Sequence, residues 1–85
     1  MYSNIYKMNN LEKYENTFTE IFDISKEQLN GLKYQDIENW DSVGHMSLVA
    51  AMEDVFEVEM DTDDIIDFSS FQQGTIILKK YGVEF

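Results

Sequence analysis

Residues 41–57 read DSVGHMSLVAAMEDVFE, and their apolar side chains recur at the spacing of an α-helix. The pattern predicts a helix over about Val43 to Glu57. At about 100° per residue, one side of this helix forms a core stripe that consists of Leu48, Val49, Met52, Val55 and Phe56. The opposite side is also partly apolar, whereas a helix that packs on a core needs only one such stripe. We therefore expect the second side to serve another purpose.

That second side combines small apolar patches with carboxylates, which is the composition of a surface that binds protein partners. Its residues, called the docking face below, are Val43, Met46, Ala50, Glu53, Asp54 and Glu57. The alternative is that a neighbouring loop covers Val43 and Met46, since single exposed apolar residues are common on protein surfaces.

The chain before this helix predicts a second amphipathic helix and a long connection. The helix is expected over about Leu11 to Phe22 with Asn10 as its N-cap, and its apolar face consists of Leu11, Tyr14, Phe18, Ile21 and Phe22. In the connection, the S-x-x-Q pattern from Ser25 to Gln28 predicts one capped helical turn. Apolar residues recur along the rest of it, so we expect it to pack against the core.

Two further helices are predicted after the central one. A short helix begins after Asp61 or Thr62, and the last helix runs from the Ser70–Gln73 box to about Tyr81, where Gly82 ends it. The fold class is therefore all-α, a small irregular four-helix bundle with a long first loop and a short third helix. We expect its core to contain Phe18, Ile21, Phe22, Leu48, Val49, Met52 and Phe56.

The length of 85 residues allows a single domain, in which residues 1–9 are expected to form a loosely ordered N-terminal extension. No stretch is apolar enough for a membrane span or a signal peptide, so we expect a cytoplasmic protein. The chain has no cysteine, which excludes disulfides and thiolate metal sites. Any thioester chemistry would therefore need a thiol added from outside.

The net charge of −11 comes from one part of the chain. No lysine or arginine lies between Tyr34 and Leu78, and this span holds eleven of the 17 acidic residues. The other six acids balance the six lysines, so the span carries the whole excess. Such a field disfavours binding to nucleic acid or to an anionic membrane and favours basic protein partners.

The order of elements and the segment Asp41-Ser42-Val43 resemble the acyl carrier protein family over about Leu11 to Tyr81. Two departures stand out, because leucine is commoner than valine after the serine and Gly44-His45 replaces an acidic or polar pair. The resemblance implies that Ser42, next to Asp41, carries a 4'-phosphopantetheine arm that a transferase moves from coenzyme A with Mg²⁺. The arm's thiol would hold acyl or aminoacyl groups as thioesters.

The same resemblance implies a carrier with no catalysis of its own, and we expect it to be a monomer. Its expected partners are a phosphopantetheinyl transferase and the acyl- or aminoacyl-loading and acyl-transfer enzymes, which would meet it through basic patches. The rival class is an acidic helical interaction module without a prosthetic group. Such a module would not require a serine at position 42. A separate alternative for Ser42 itself is that its hydroxyl serves only as an N-cap.

Three other kinds of site fit the sequence poorly. An EF-hand starting at Asp61 would need glycine and glutamate where Ile66 and Gln72 stand. His45 is the only histidine, so no histidine-rich metal site is predicted, and we expect a packed or partly exposed imidazole. A hydrolase built on Ser42 and His45 lacks a visible oxyanion loop.

Overall fold

Four α-helices form the fold in the computed structural model, which describes residues 8–85. They are α1 (Asn10–Phe22), α2 (Ser42–Phe56), α3 (Thr62–Asp67) and α4 (Phe71–Lys80), with a 3-10 turn at Lys26–Gln28. Within the described residues the extended structure is limited to an isolated bridge between Lys33 and Ser70. The all-α prediction is confirmed. The predicted N-terminal extension lies largely in residues 1–7, outside the described residues.

Helix α1 begins one residue earlier than predicted, because Asn9 and not Asn10 is the N-cap. The Asn9 side chain accepts a hydrogen bond from the Glu12 N–H at 2.8 Å, and the Glu12 carboxylate accepts one from the Asn9 N–H at 3.3 Å. This reciprocal pair satisfies two of the free N–H groups at the helix start. Glu12 is therefore part of the cap and is not a free surface charge.

The long connection between α1 and α2 is held in place by hydrogen bonds and by buried side chains. The predicted turn at Ser25 is present, and the Gln28 side chain accepts a hydrogen bond from the Ser25 N–H at 3.1 Å. Further along, the Leu32 carbonyl accepts a hydrogen bond from the Phe71 N–H at 2.8 Å, at the start of α4. Leu29, Leu32 and Trp40 are buried. The connection is part of the core, as its apolar residues predict.

Aromatic rings fill the centre of the bundle. Tyr14, Phe18, Phe22, Trp40 and Phe68 have no exposed surface, and neighbouring rings among them lie 5.1–6.4 Å apart between centroids. These spacings lie in the favourable range for edge-to-face and offset-stacked rings. The interior is therefore occupied by rigid side chains.

The predicted core residues are confirmed in part. Leu48, Val49 and Met52 of α2 are buried with Phe18 and Phe22. The prediction is wrong for three others, which lie at the margins of the two helix stripes. Val55 is 38% exposed, Ile21 is 36% exposed, and Phe56 is only partly buried. A helical wheel gives the angular position of each residue around its own helix. It does not say how far along the axis of that helix the neighbouring helices cover it.

Helix α4 packs so closely on the aromatic centre that a methyl group has no room at Gly74. A β-carbon there would overlap the Tyr14 hydroxyl and the Phe68 ring. The Tyr14 hydroxyl in turn donates a hydrogen bond to the Phe71 carbonyl, and burial raises the pKa of this phenol far above its usual range. Gly74 thus permits a contact that no other residue type permits.

Helix α3 is held to the end of α4 by one buried carboxylate. Asp64 accepts a hydrogen bond from the Lys80 ammonium at 2.6 Å and another from the Tyr81 hydroxyl. These two hydrogen bonds, with Lys80 the stronger cause, hold the pKa of Asp64 below its usual range. The Tyr81 oxygen also accepts a hydrogen bond from the Asp61 N–H at 2.9 Å. The position of α3 is therefore fixed by polar contacts at its start.

Candidate functional site

The first turn of α2 presents Ser42 to solvent. Asp41 is the N-cap of the helix, and its carboxylate accepts a hydrogen bond from the Gly44 N–H at 2.8 Å. Ser42 is thus the first helical residue, and no hydrogen bond within the described residues occupies its hydroxyl. The alternative in which Ser42 serves as the N-cap is wrong, because Asp41 has that role.

The chain that leads into α2 is tied to the end of α1. The Asn39 side-chain amide donates a hydrogen bond to the Phe22 carbonyl at 2.9 Å, and the next residue, Trp40, is buried in the aromatic centre. The Asn39 carbonyl also lies so close to Gly44 that a β-carbon at Gly44 would overlap it. Gly44 therefore lets the loop fold back over the first helical turn.

The neighbouring residue, His45, joins the loop to α3. The Trp40 indole N–H donates a hydrogen bond to His45 Nδ1 at 3.0 Å, and His45 Nε2 lies 2.8 Å from the Ile65 carbonyl oxygen. Because the indole only donates and the carbonyl only accepts, this geometry suits Nδ1 as an acceptor and Nε2 as a donor. The imidazole is packed and partly exposed, as predicted. This arrangement leaves His45 no free nitrogen for base catalysis at Ser42.

A groove of about 290 Å³ opens beside Ser42, between the start of α2 and α3. Ser42 lies on its rim, and its walls are mainly apolar, with Tyr34, Met46, Ile65, Ile66 and Phe68 among them. The imidazole of His45 also lines it, whereas no aspartate, glutamate or lysine does. The groove can therefore shelter a small uncharged group next to the serine hydroxyl.

The apolar residues of the docking face are exposed. The exposed fraction is 74% for Val43 and 56% for Met46, and Ala50 is exposed as well. Within residues 8–85 no loop covers Val43 or Met46, so that alternative is wrong for the described structure. These side chains leave apolar surface in water around Ser42, as a transient partner site requires.

The acids of the docking face are not equivalent. Asp54 and Glu57 are exposed, whereas Glu53 is partly buried and its carboxylate accepts a hydrogen bond from the Met60 N–H at 2.8 Å. Glu53 therefore fixes the turn after α2 in addition to contributing charge. Asp54 differs from Glu53 in that no hydrogen bond within the described residues occupies its carboxylate.

The sequence analysis missed one exposed apolar residue of this region. Ile66 of α3 is 70% exposed and borders the groove together with Met46. Its helix has only six residues, too few for a periodic pattern to separate a buried from an exposed side. The adjacent Ile65 is partly buried, and the pair could not be told apart by residue type.

Within residues 8–85 no group of three or more histidine, aspartate or glutamate side chains is arranged to hold a metal ion. None of the helices in that range combines the length and the apolar character that a membrane crossing needs.

Comparisons of the chain with models of protein families, with curated proteins and with solved structures found no match.

Proposed function

We propose that the protein is an acyl carrier protein whose Ser42 hydroxyl accepts a 4'-phosphopantetheine arm. The observation that supports it most is the environment of Ser42. The serine is exposed in the first turn of a 15-residue helix, its hydroxyl is free of capping, and Asp41 carries the cap instead. A separate enzyme can therefore reach the oxygen without opening the fold.

The site fits the chemistry of this modification. Ser42 Oγ would attack the phosphorus of coenzyme A that bears the pantetheine, forming a new O–P bond, and adenosine 3',5'-bisphosphate would leave with the electrons of the broken bond. The hydroxyl proton would pass to a base of the transferase. The resulting phosphodiester would lie near the positive end of the α2 dipole. When attached, the arm supplies the thiol that this cysteine-free chain lacks.

The docking face gives such a carrier a means of meeting its partners. Exposed carboxylates around a small apolar patch attract basic surfaces, and they increase the encounter rate more than the final affinity. The patch is small, so each complex would be weak and short-lived. We propose that the partners are a phosphopantetheinyl transferase and enzymes that load or transfer acyl or aminoacyl groups.

The second candidate is an acidic interaction module without a prosthetic group, for which the net charge of −11 and the exposed docking face are the supporting observations. Such a module would use the same surface and would need no free hydroxyl at Ser42. The two proposals therefore differ in one covalent event, which is directly measurable.

The experiment is intact-mass spectrometry after incubation with coenzyme A, Mg²⁺ and a broad-specificity phosphopantetheinyl transferase. We expect the wild type to gain one phosphopantetheine and Ser42→Ala to gain none while keeping its helical circular dichroism. Ser47→Ala is the matched control, because Ser47 is another exposed serine of α2, and this variant should be modified like the wild type. A wild type that gains no mass, or a Ser42→Ala variant that does, would overturn the proposal.

A further inference from the structure

The asparagines of the chain differ in what holds their side-chain amides. The Asn9 side chain caps α1, and the Asn10 and Asn39 side chains each donate a hydrogen bond of 2.9 Å to a main-chain carbonyl. Asn16 lies within α1. Within residues 8–85 the remaining asparagine is Asn30, which is exposed and whose side chain has no hydrogen bond to another described residue. Asn30 is therefore the least restrained of these amides.

Asn30 stands before a glycine in a tight turn. The Leu29 carbonyl accepts a hydrogen bond from the Leu32 N–H at 3.0 Å, and Gly31 between them has a φ of 78°. This left-handed conformation at the third residue is typical of a type II turn, and glycine adopts it without strain. The Gly31 N–H takes no part in the turn's hydrogen bond, and within the described residues nothing else occupies it. A β-carbon at Gly31 would meet nothing within 4 Å, so no neighbouring element covers the turn.

The free amide and the free main-chain nitrogen are the two reactants of a spontaneous reaction, and asparagine is one of the labile residues of proteins. The Gly31 nitrogen attacks Cγ of Asn30 and forms a new N–Cγ bond. The bond from Cγ to the side-chain nitrogen breaks, and ammonia leaves with the proton that the Gly31 nitrogen gives up. Glycine has no side chain to hinder this attack. The product is a succinimide ring.

Water then opens the ring at one of its carbonyls. Opening at Cγ gives aspartate, whereas opening at the main-chain carbonyl gives isoaspartate, in which the main chain runs through the former side chain. The net change is the gain of one water and the loss of one ammonia, and a neutral amide becomes a carboxylate. No oxidant, reductant or enzyme is needed.

We propose that Asn30 is a site of spontaneous deamidation in the folded protein, with isoaspartate among its products. The exposed turn and its free N–H carry this inference, and it does not depend on the carrier function. The isoaspartyl form is an acceptor of the kind that protein L-isoaspartyl methyltransferases recognise.

Isoaspartate would disturb the turn in which it forms. It lengthens the main chain by one carbon between Leu29 and Leu32, whose side chains are both buried. The Leu32 carbonyl also accepts the hydrogen bond from the Phe71 N–H, so this side of the turn is held to the start of α4. We expect the isoaspartyl protein to melt at a lower temperature than Asn30→Asp, which has the same charge and an ordinary main chain.

The test is incubation of the folded full chain at mildly alkaline pH in water enriched in ¹⁸O, followed by peptide mapping with mass spectrometry. We expect the peptide that contains Asn30 to lose its amide nitrogen and to gain one ¹⁸O. An L-isoaspartyl methyltransferase with labelled S-adenosylmethionine should then methylate the incubated protein. Asn30→Gln is the matched control, because it keeps an amide but would have to close a larger and less favourable ring, and it should gain neither label. A parallel incubation in urea gives the rate for the unfolded chain, and the folded rate should be comparable.

Three results would contradict the inference. Equal labelling of the wild type and Asn30→Gln would place the reaction at another asparagine. A folded rate far below the rate in urea would show that the turn protects Asn30. Isoaspartyl protein that melts like Asn30→Asp would refute the effect assigned to the longer main chain.

Discussion

Replacing His45 with leucine tests whether the imidazole joins the loop to α3 as the structure indicates. The substitution keeps an apolar side chain of moderate size but removes the acceptor of the Trp40 indole N–H, which lies 3.0 Å from His45 Nδ1. Trp40 has no exposed surface, so water cannot replace the lost partner. The Ile65 carbonyl loses its donor at the same time, although it lies nearer the surface.

The loss of folding stability expected for His45→Leu follows from the burial of the Trp40 indole. A buried donor left without a partner costs about 1–3 kcal/mol. A domain of this size has a total stability of roughly 4–13 kcal/mol, at 0.05–0.15 kcal/mol per residue. Each 1 kcal/mol lowers the melting temperature of such a domain by roughly 4–8 °C. We therefore expect His45→Leu to remain folded and to melt at least about 4 °C below the wild type.

A double-mutant cycle in urea isolates the hydrogen bond from other effects of the substitution. In a Trp40→Phe background there is no indole N–H to leave unpaired, so His45→Leu should cost about 1–3 kcal/mol less there than in the wild type. Urea unfolding followed by circular dichroism gives all four free energies. Equal costs of His45→Leu in both backgrounds would refute the role assigned to the Trp40–His45 bond.

Three further predictions follow from individual contacts. Asp54→Lys should slow modification of Ser42 several-fold at low salt, and Glu20→Lys on α1 should not. Equal effects of the two variants would indicate net charge in place of a docking face, and an effect of Asp54→Lys that salt does not diminish would contradict its electrostatic origin. Gly74→Ala should lower the free energy of unfolding by about 1–3 kcal/mol through overpacking, and unchanged urea unfolding would contradict the close contact. The hydrogen bonds from Lys80 and Tyr81 lower the pKa of Asp64 in the folded protein. The stability that Asp64 contributes is therefore complete above its ordinary pKa of 3.8, and it is lost as the pH falls through the lower pKa of the folded state. Urea unfolding at several pH values should therefore show the advantage of the wild type over Asp64→Asn shrinking below about pH 4, and a constant difference would contradict the lowered pKa.

Local patterns predicted the helices well, because the signals are carried by neighbouring residues. The box at Ser25, the box at Ser70 and the stop at Gly82 each depend on contacts within a few positions. The Ser25 box and the Gly82 stop are present, and the Ser70 box is present in part, as the hydrogen bond from the Gln73 N–H to the Ser70 hydroxyl. The N-cap of α1 was assigned one residue too late because Asn9 and Asn10 are both suitable caps. Such an ambiguity is resolved only by the backbone itself.

The contacts that shape the candidate site join residues far apart in sequence, and a single sequence does not reveal them. Asn39 reaches the Phe22 carbonyl 17 residues away, and His45 reaches the Ile65 carbonyl 20 residues away. The sequence did contain one usable signal, a tryptophan five positions before the only histidine, because a buried indole N–H needs an acceptor. Burial of Glu53 against Met60 had no such signal.

The placement of Ser42 depends on the aromatic core as much as on the helix that carries it. Asn39 fastens the loop to the end of α1, Trp40 inserts into the ring cluster, and His45 extends that cluster to α3, which forms the far wall of the groove. The three side chains that make these contacts lie within three residues of Ser42 along the chain, and their partners lie on other elements of the fold. A change to the ring cluster would therefore alter the groove beside the serine, while a change at the exposed docking face would leave the groove's far wall in place. Gly44 and His45 act together in this arrangement, because Gly44 accommodates the loop that carries Trp40 and His45 bonds to the indole.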